Sequence, residues 1–167
     1  MKATSNKPYM LRKDAGVLDV WFPLWEGRYT AKATSDQTGG QLLHLLVREP
    51  GGAAPPLHIH TDADETWYVI DGKMTIYVGD ERFEAGPGDF VLGPKGVPHT
   101  YLVRSDRAEF LATFTPAGAT LGFFAEIGIP VVAGEPHPGT IPVKPEEFAR
   151  KAAAYSIEIV GPPPTLD

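Results

Sequence analysis

The chain has 167 residues, a net charge of −6 and no cysteine, so a domain-sized core can form without disulfides, and thiolate metal sites and cysteine nucleophiles are excluded. The acidic balance argues against nucleic acid as a partner, and no apolar run is long enough to cross a bilayer as a helix. Glycine (18) and proline (17) punctuate a sequence that is 43% hydrophobic, which reads as many short strands separated by tight turns.

Residues 1–16 are polar and basic and contain no apolar stretch of the signal-peptide kind, which predicts a cytoplasmic protein. The chain turns apolar at 17–22, and 27–40 reads as one or two edge strands. Further short runs follow at 41–47, 57–60, 66–70, 73–78, 81–84, 89–92, 100–104 and 109–115. The breaks between them carry glycine, aspartate or proline, as in Asp71-Gly72, Gly79-Asp80 and Gly86-Pro87-Gly88. Strands this short at this spacing predict an all-β sandwich or barrel. After Pro116 the pattern changes. Residues 118–127 read as a short helix carrying Phe123 and Phe124, and 128–144 as an irregular Gly/Pro-rich segment. Residues 145–155 form the best helix, with Pro145 in the first turn, Glu146 and Glu147 next, and Arg150 and Lys151 later, which suits the helix dipole.

Two of the five histidines form His58-Ile59-His60. On a strand, residues two apart share a face, so both imidazoles can meet one ion. Glu65 follows across a polar link, and His99 stands after Gly96-Val97-Pro98. Three imidazoles and a carboxylate suit one divalent transition metal: Fe, Mn, Ni, Co, Cu or Zn. The bare pair is equally compatible with two hydrogen-bonded core histidines.

The surrounding spacing decides between them. Gly52 to Gly72 resembles the first cupin motif, G-x5-H-x-H-x4-E-x6-G, at each fixed position, and Gly88 to His99 resembles the second, G-x5-P-x-G-x2-H. The usual asparagine four residues after the last histidine is Val103 here, a change that touches no ligand. Weaker similarity, in Asn6-Lys7-Pro8-Tyr9, in 114–118 and in 123–128, is to single-domain bacterial quercetin 2,3-dioxygenase-like cupins. The resemblance implies a double-stranded β-helix (jelly-roll barrel) with short C-terminal helices. The core is expected at about 40–115, an N-terminal strand arm at 1–39 and a helical, Pro-rich extension at 116–167. It also implies a metal held by His58, His60, Glu65 and His99, with Glu65 doubling as a catalytic base.

Strand parity turns Trp67 and Val69 inward with Glu65, and Tyr101 and Val103 inward with His99; Met74 and Ile76, or Phe110, Ala112 and Phe114, would complete the wall. The expected substrate pocket is Trp67, Tyr101, Phe114, Phe123 and Phe124, with 118–144 as a lid, and its occupant a small hydrophobic or aromatic molecule. Phe90 and Phe110 are expected in the core. His44 is expected to be structural, His137 to be an exposed loop residue, and Asp62 and Asp64 to be solvated. Three functions fit: a dioxygenase cleaving an enolisable substrate with O2; a non-redox metal isomerase, cyclase or decarboxylase; and a non-enzymatic ligand-binding cupin. A homodimer is expected, reached through the segment containing Trp21 and Trp25, because strand edges need cover.

Overall fold

A computed structural model of the protein describes residues 7–166; Asn6, part of the N-terminal resemblance, lies outside them. Twelve strands occur among these residues: β1 (Leu18–Phe22), β2 (Gly27–Ala33), β3 (Leu43–Pro50), β4 (His58–His60), β5 (Asp64–Asp71), β6 (Met74–Val78), β7 (Glu81–Ala85), β8 (Phe90–Gly93), β9 (His99–Val103), β10 (Arg107–Thr115), β11 (Ile129–Pro130) and β12 (Ile157–Ile159). The helices are α1 (Ser35–Thr38), α2 (Thr120–Ile127) and α3 (Pro145–Ala153). The strands form a seven-stranded sheet, β11-β1-β2-β3-β10-β5-β8, and a five-stranded sheet, β12-β4-β9-β6-β7.

Alternation of side chains builds the interior. Leu43, Leu45 and Val47 of β3, Trp67 and Val69 of β5, and Phe110, Ala112 and Phe114 of β10 are buried on the larger sheet. Across from them stand Met74 and Ile76 of β6 and Tyr101 and Val103 of β9. Register holds the rows together: Phe110 lies opposite Val47 on one side and Val69 on the other, and Phe114 opposite Leu43 and Glu65. This is the expected jelly-roll core with both inner faces apolar.

The C-terminal segment closes one side of the barrel. In α3, Pro145 occupies the first turn, acids precede bases, and Phe148 and Ala152, one turn apart, are buried together. Phe148 packs edge-on against Phe123 of α2, with centroids 5.5 Å apart. Strand β12 then pairs with β4, Ile157 opposite His60 and Ile159 opposite His58.

Several expectations are corrected. Residues 27–40 are one strand followed by the single turn α1, because Thr34 and Gln37 form a reciprocal capping box and Gly39 ends the helix at φ 64°. The irregular segment includes β11, which pairs with β1. Phe90 is 62% exposed rather than in the core, since Val91 and Gly93 take the inward parity of β8. Trp25 turns inward: it stacks on Phe22 at 4.5 Å and donates to Glu49 at 2.9 Å. His137 is half-buried against the edge of Trp21, with centroids 5.1 Å apart. No helix among the described residues is long and apolar enough to cross a membrane.

Candidate metal centre

Strand β4 presents His58 and His60, β5 opens with Asp64 and Glu65, and β9 begins at His99, directly opposite His58. One ligand atom from each of His58, His60, Glu65 and His99 lies within 4.8 Å of the other three. Glu65 Oε2 stands 3.3 Å from His60 Nε2 and 3.2 Å from His99 Nε2.

The hydrogen bonds around the rings orient them. His58 Nδ1 is 2.8 Å from the Pro56 carbonyl, and His99 Nδ1 is 2.9 Å from the Val97 carbonyl. A carbonyl only accepts, so both Nδ1 atoms carry the hydrogen and, in the neutral rings, both Nε2 lone pairs point at the cluster. His60 Nδ1 pairs with Thr120 Oγ1 at 3.3 Å, leaving its Nε2 for the cluster as well. His99 Nε2 is buried with no hydrogen-bond partner. Lone pairs converging on a buried carboxylate require a cation between them, and three imidazoles with outer partners on their other nitrogens are the donor set of a divalent transition metal. The four residues fit the group that the sequence implies.

Electrostatics favour the ligating forms. Burial, reinforced by the neighbouring His99 and His60, lowers the His58 pKa to about 3, so this ring is neutral. Burial alone would raise Glu65, but His60 and His99, when a proton sits on the Nε2 atoms that face it, outweigh burial by hydrogen bonding and charge and hold it at about 2. The acidic neighbours stand outside this cluster and, rather than being solvated as expected, are half-buried and bound to backbone amides. Asp62 accepts from the Ala119 amide at 2.9 Å, at the start of α2, and Asp64 from the Lys95 amide at 2.7 Å. Asp62 and Thr120 thus tie α2 to the histidine strand. His44, on β3, is half-buried and bonds Thr113 at 2.8 Å, the structural role expected of it.

His58, His60 and Glu65 share the wall of an apolar cavity with Tyr101, Phe114, Phe123 and Phe124. Four of the five expected pocket residues therefore line it. Trp67 does not: it is fully buried behind the site, its ring 5.4 Å from that of His99, under Gly93. The cavity is about 60 Å³, below the ~300–1,000 Å³ of ligand pockets.

One group escaped the sequence reading. Glu49, at the end of β3, is only 3% exposed. Its Oε1 accepts from Tyr29 Oη, from Tyr101 Oη at 2.8 Å and from Trp25 Nε1 at 2.9 Å, while Oε2 is buried without a partner. Burial pushes its pKa up to about 7 against the pull of these donors, and pushes Tyr29 and Tyr101 well above the ordinary phenol value. Extending the parity of Leu43, Leu45 and Val47 by two residues would have found it.

A jelly-roll barrel with three histidines and a glutamate at one mouth defines a cupin, and residues 44–114 match the family described as "Cupin domain". The chain belongs to the cupin superfamily. It is 32% identical over 153 residues to the quercetin 2,3-dioxygenase of Bacillus subtilis, a match covering 90% of this chain and 44% of that one. The chain spans half or less of the length of the curated relatives it matches. Among solved structures, a predicted oxalate decarboxylase of Thermotoga maritima superposes with a TM-score of 0.58 at 17% identity, covering 64% of this chain and 99% of that one. An RmlC-like cupin of Shewanella frigidimarina superposes with a TM-score of 0.55 at 17% identity, covering 66% and 92%. Both likenesses are of fold.

Proposed function

We propose that the protein is a metal-dependent cupin oxygenase, similar to quercetin 2,3-dioxygenase, that cleaves a small enolisable aromatic or dicarbonyl substrate with O2. In this reading residues 1–167 act as one cupin unit, probed below for homodimer formation. The observation that carries it is the convergence of His58, His60, Glu65 and His99, the first three of them on the wall of a cavity rich in aromatic residues; the likeness to the Bacillus enzyme along 90% of the chain adds support.

A divalent ion held by these residues supplies a Lewis acid for an enol or phenol oxygen. Glu65 is ionised at neutral pH and can receive the proton that the substrate loses. Burial favours its protonated form and neighbouring positive charge its ionised form, so one side chain can both take and release that proton. The apolar wall keeps water from an electron-rich substrate anion. Because the cavity is small, admission of a bicyclic substrate requires the α2 aromatics Phe123 and Phe124 to move outward, the lid role expected of that segment.

The test is metal analysis of the purified protein followed by O2-uptake assays with flavonols and 1,3-diketones, for wild type and Glu65→Gln. The reading expects O2 consumption matched to substrate loss and a fall of at least about 100-fold in Glu65→Gln. Wild-type turnover that proceeds unchanged without O2 reassigns the chain to a non-redox isomerase, cyclase or decarboxylase. Tight ligand binding without turnover reassigns it to a binding cupin.

A further inference from the structure

The cavity has a second polar end. Trp25, Tyr29 and Tyr101 line it together with the histidines, and all three donate to the one oxygen of Glu49 described above. The two hydroxyls also lie 3.4 Å from each other, and Trp25 Nε1 is 3.1 Å from Tyr29 Oη. The rings are held firmly: Tyr29 stacks on Phe124 at 4.7 Å, and Tyr101 meets the edge of Phe110 at 5.4 Å.

Donors and acceptors in this cluster do not balance. Besides the proton that Glu49 holds below about pH 7, it contains three donors, the two phenol O–H groups and the indole N–H. A carboxylate offers about four lone-pair sites and each phenol oxygen two more. All three donors converge on Oε1 of Glu49, and Oε2, equally buried, receives none. Glu49 itself stands behind the cavity wall, but Tyr29 and Tyr101 are part of it; with their hydrogens committed to Glu49 their oxygens remain as acceptors, so the arrangement is completed by a ligand that brings a hydrogen to them. Apart from the metal-site residues and Thr120, whose hydroxyl pairs with His60, the remaining walls are apolar, Phe22, Phe110 and Phe124 among them.

We propose that Glu49, Tyr29, Tyr101 and Trp25 form a second recognition subsite that accepts a hydrogen bond from a hydroxyl group of the substrate, at the end of the molecule away from the metal ligands. This deepens the oxygenase reading and rests on it for the identity of the other, metal-facing end. The substrate class becomes an aromatic molecule with two separated polar functions: an acidic oxygen toward His58, His60 and His99, and a hydroxyl donor toward Tyr29 and Tyr101. Molecules with an ether or a bare ring in the second position leave the acceptors unmatched and are discriminated against, because a site built for a hydroxyl rejects an analogue that lacks it.

The experiment is a ligand-observed NMR titration of the full, metal-loaded chain with phenol, benzene and benzylammonium. Wild type is expected to bind phenol about tenfold more tightly than benzene. Tyr29→Phe and Tyr101→Phe, tested singly so that Glu49 keeps two of its three donors, are expected to reduce that preference to about twofold or less while benzene binding stays within about twofold. Equal binding of phenol and benzene by wild type overturns the proposal. So does a phenol preference that survives both substitutions, which places phenol elsewhere, or tighter binding of benzylammonium than of phenol, which makes the subsite a cation cage. Turnover is not read in this titration. Failure of the O2-uptake assay therefore refutes the oxygenase reading alone, and absence of phenol discrimination in wild type refutes the subsite alone.

Discussion

Replacing Glu49 by glutamine should change the pH dependence of stability in a direction fixed by its burial. In the folded protein Glu49 keeps its proton up to about pH 7, against an ordinary value of 4.5. Between those values the native state binds more protons than the unfolded chain, so the contribution of Glu49 is fully present below about pH 4.5 and is lost as pH rises through 7. A difference from 4.5 to about 7 corresponds to about 3 kcal/mol. Glu49→Gln has no such proton. Measured by urea unfolding with chelator present, its stability should therefore gain on wild type by about 3 kcal/mol between pH 4 and pH 8. His58, lowered to about 3 by burial, acts oppositely, removing stability as pH falls below 6.5. It is common to both proteins and cancels in the difference. A wild-type–variant difference that stays constant within about 0.5 kcal/mol across the window, the scatter of ordinary surface substitutions, would refute the claim that Glu49 is held in a dry, weakly compensated site.

Three further outcomes are expected. His99→Ala should lower bound metal, read by elemental analysis, well below the wild-type stoichiometry; full retention would remove His99 from the ligand set. Thr120→Val keeps the shape of the side chain but takes away the hydroxyl paired with His60 Nδ1, and should weaken metal affinity by about 10–100-fold in a chelator competition; unchanged affinity would show that Thr120 does not orient the ring. Tyr68, Ile70, Phe90 and Leu92 leave an apolar, exposed patch on β5 and the edge strand β8, so light scattering should find a homodimer that Phe90→Glu converts to monomer; a wild-type monomer at high concentration would sink this.

The metal cluster was legible because its information is local. The parity of His58 and His60 follows from a two-residue repeat, and the two gapped motifs bring in Glu65 and His99. The first ten strands were legible for the same reason, since the turns between most of them announce themselves with glycine, aspartate or proline. Long-range pairing was not. Strand β12 is three residues long, follows a helix, and acquires strand geometry only by lying beside β4. Phe90 and Leu92 break the rule that large apolar residues face inward, because on β8 the inward positions are taken by Val91 and by Gly93, whose lack of a side chain makes room for Trp67. Glu49 stands just before Pro50-Gly51-Gly52, where a charged residue reads as the start of a turn. The parity of β3 points it inward, and the three aromatic donors, drawn from β2, β9 and the turn after β1, supply the partners that hold it there.

The pairing of β12 with β4 has a consequence for biogenesis. Strand β4, which carries two of the three histidines, meets β9 at the single register pair His58 and His99, and its longer partnership is with Ile157–Ile159. During synthesis the His-x-His strand leaves the ribosome long before that partner exists, and during the interval one of its edges is bare. Productive metal capture is therefore expected to follow translation of β12 rather than appearance of the ligands. A stalled nascent chain that displays all four ligands but stops short of Ile157 should hold the ion poorly.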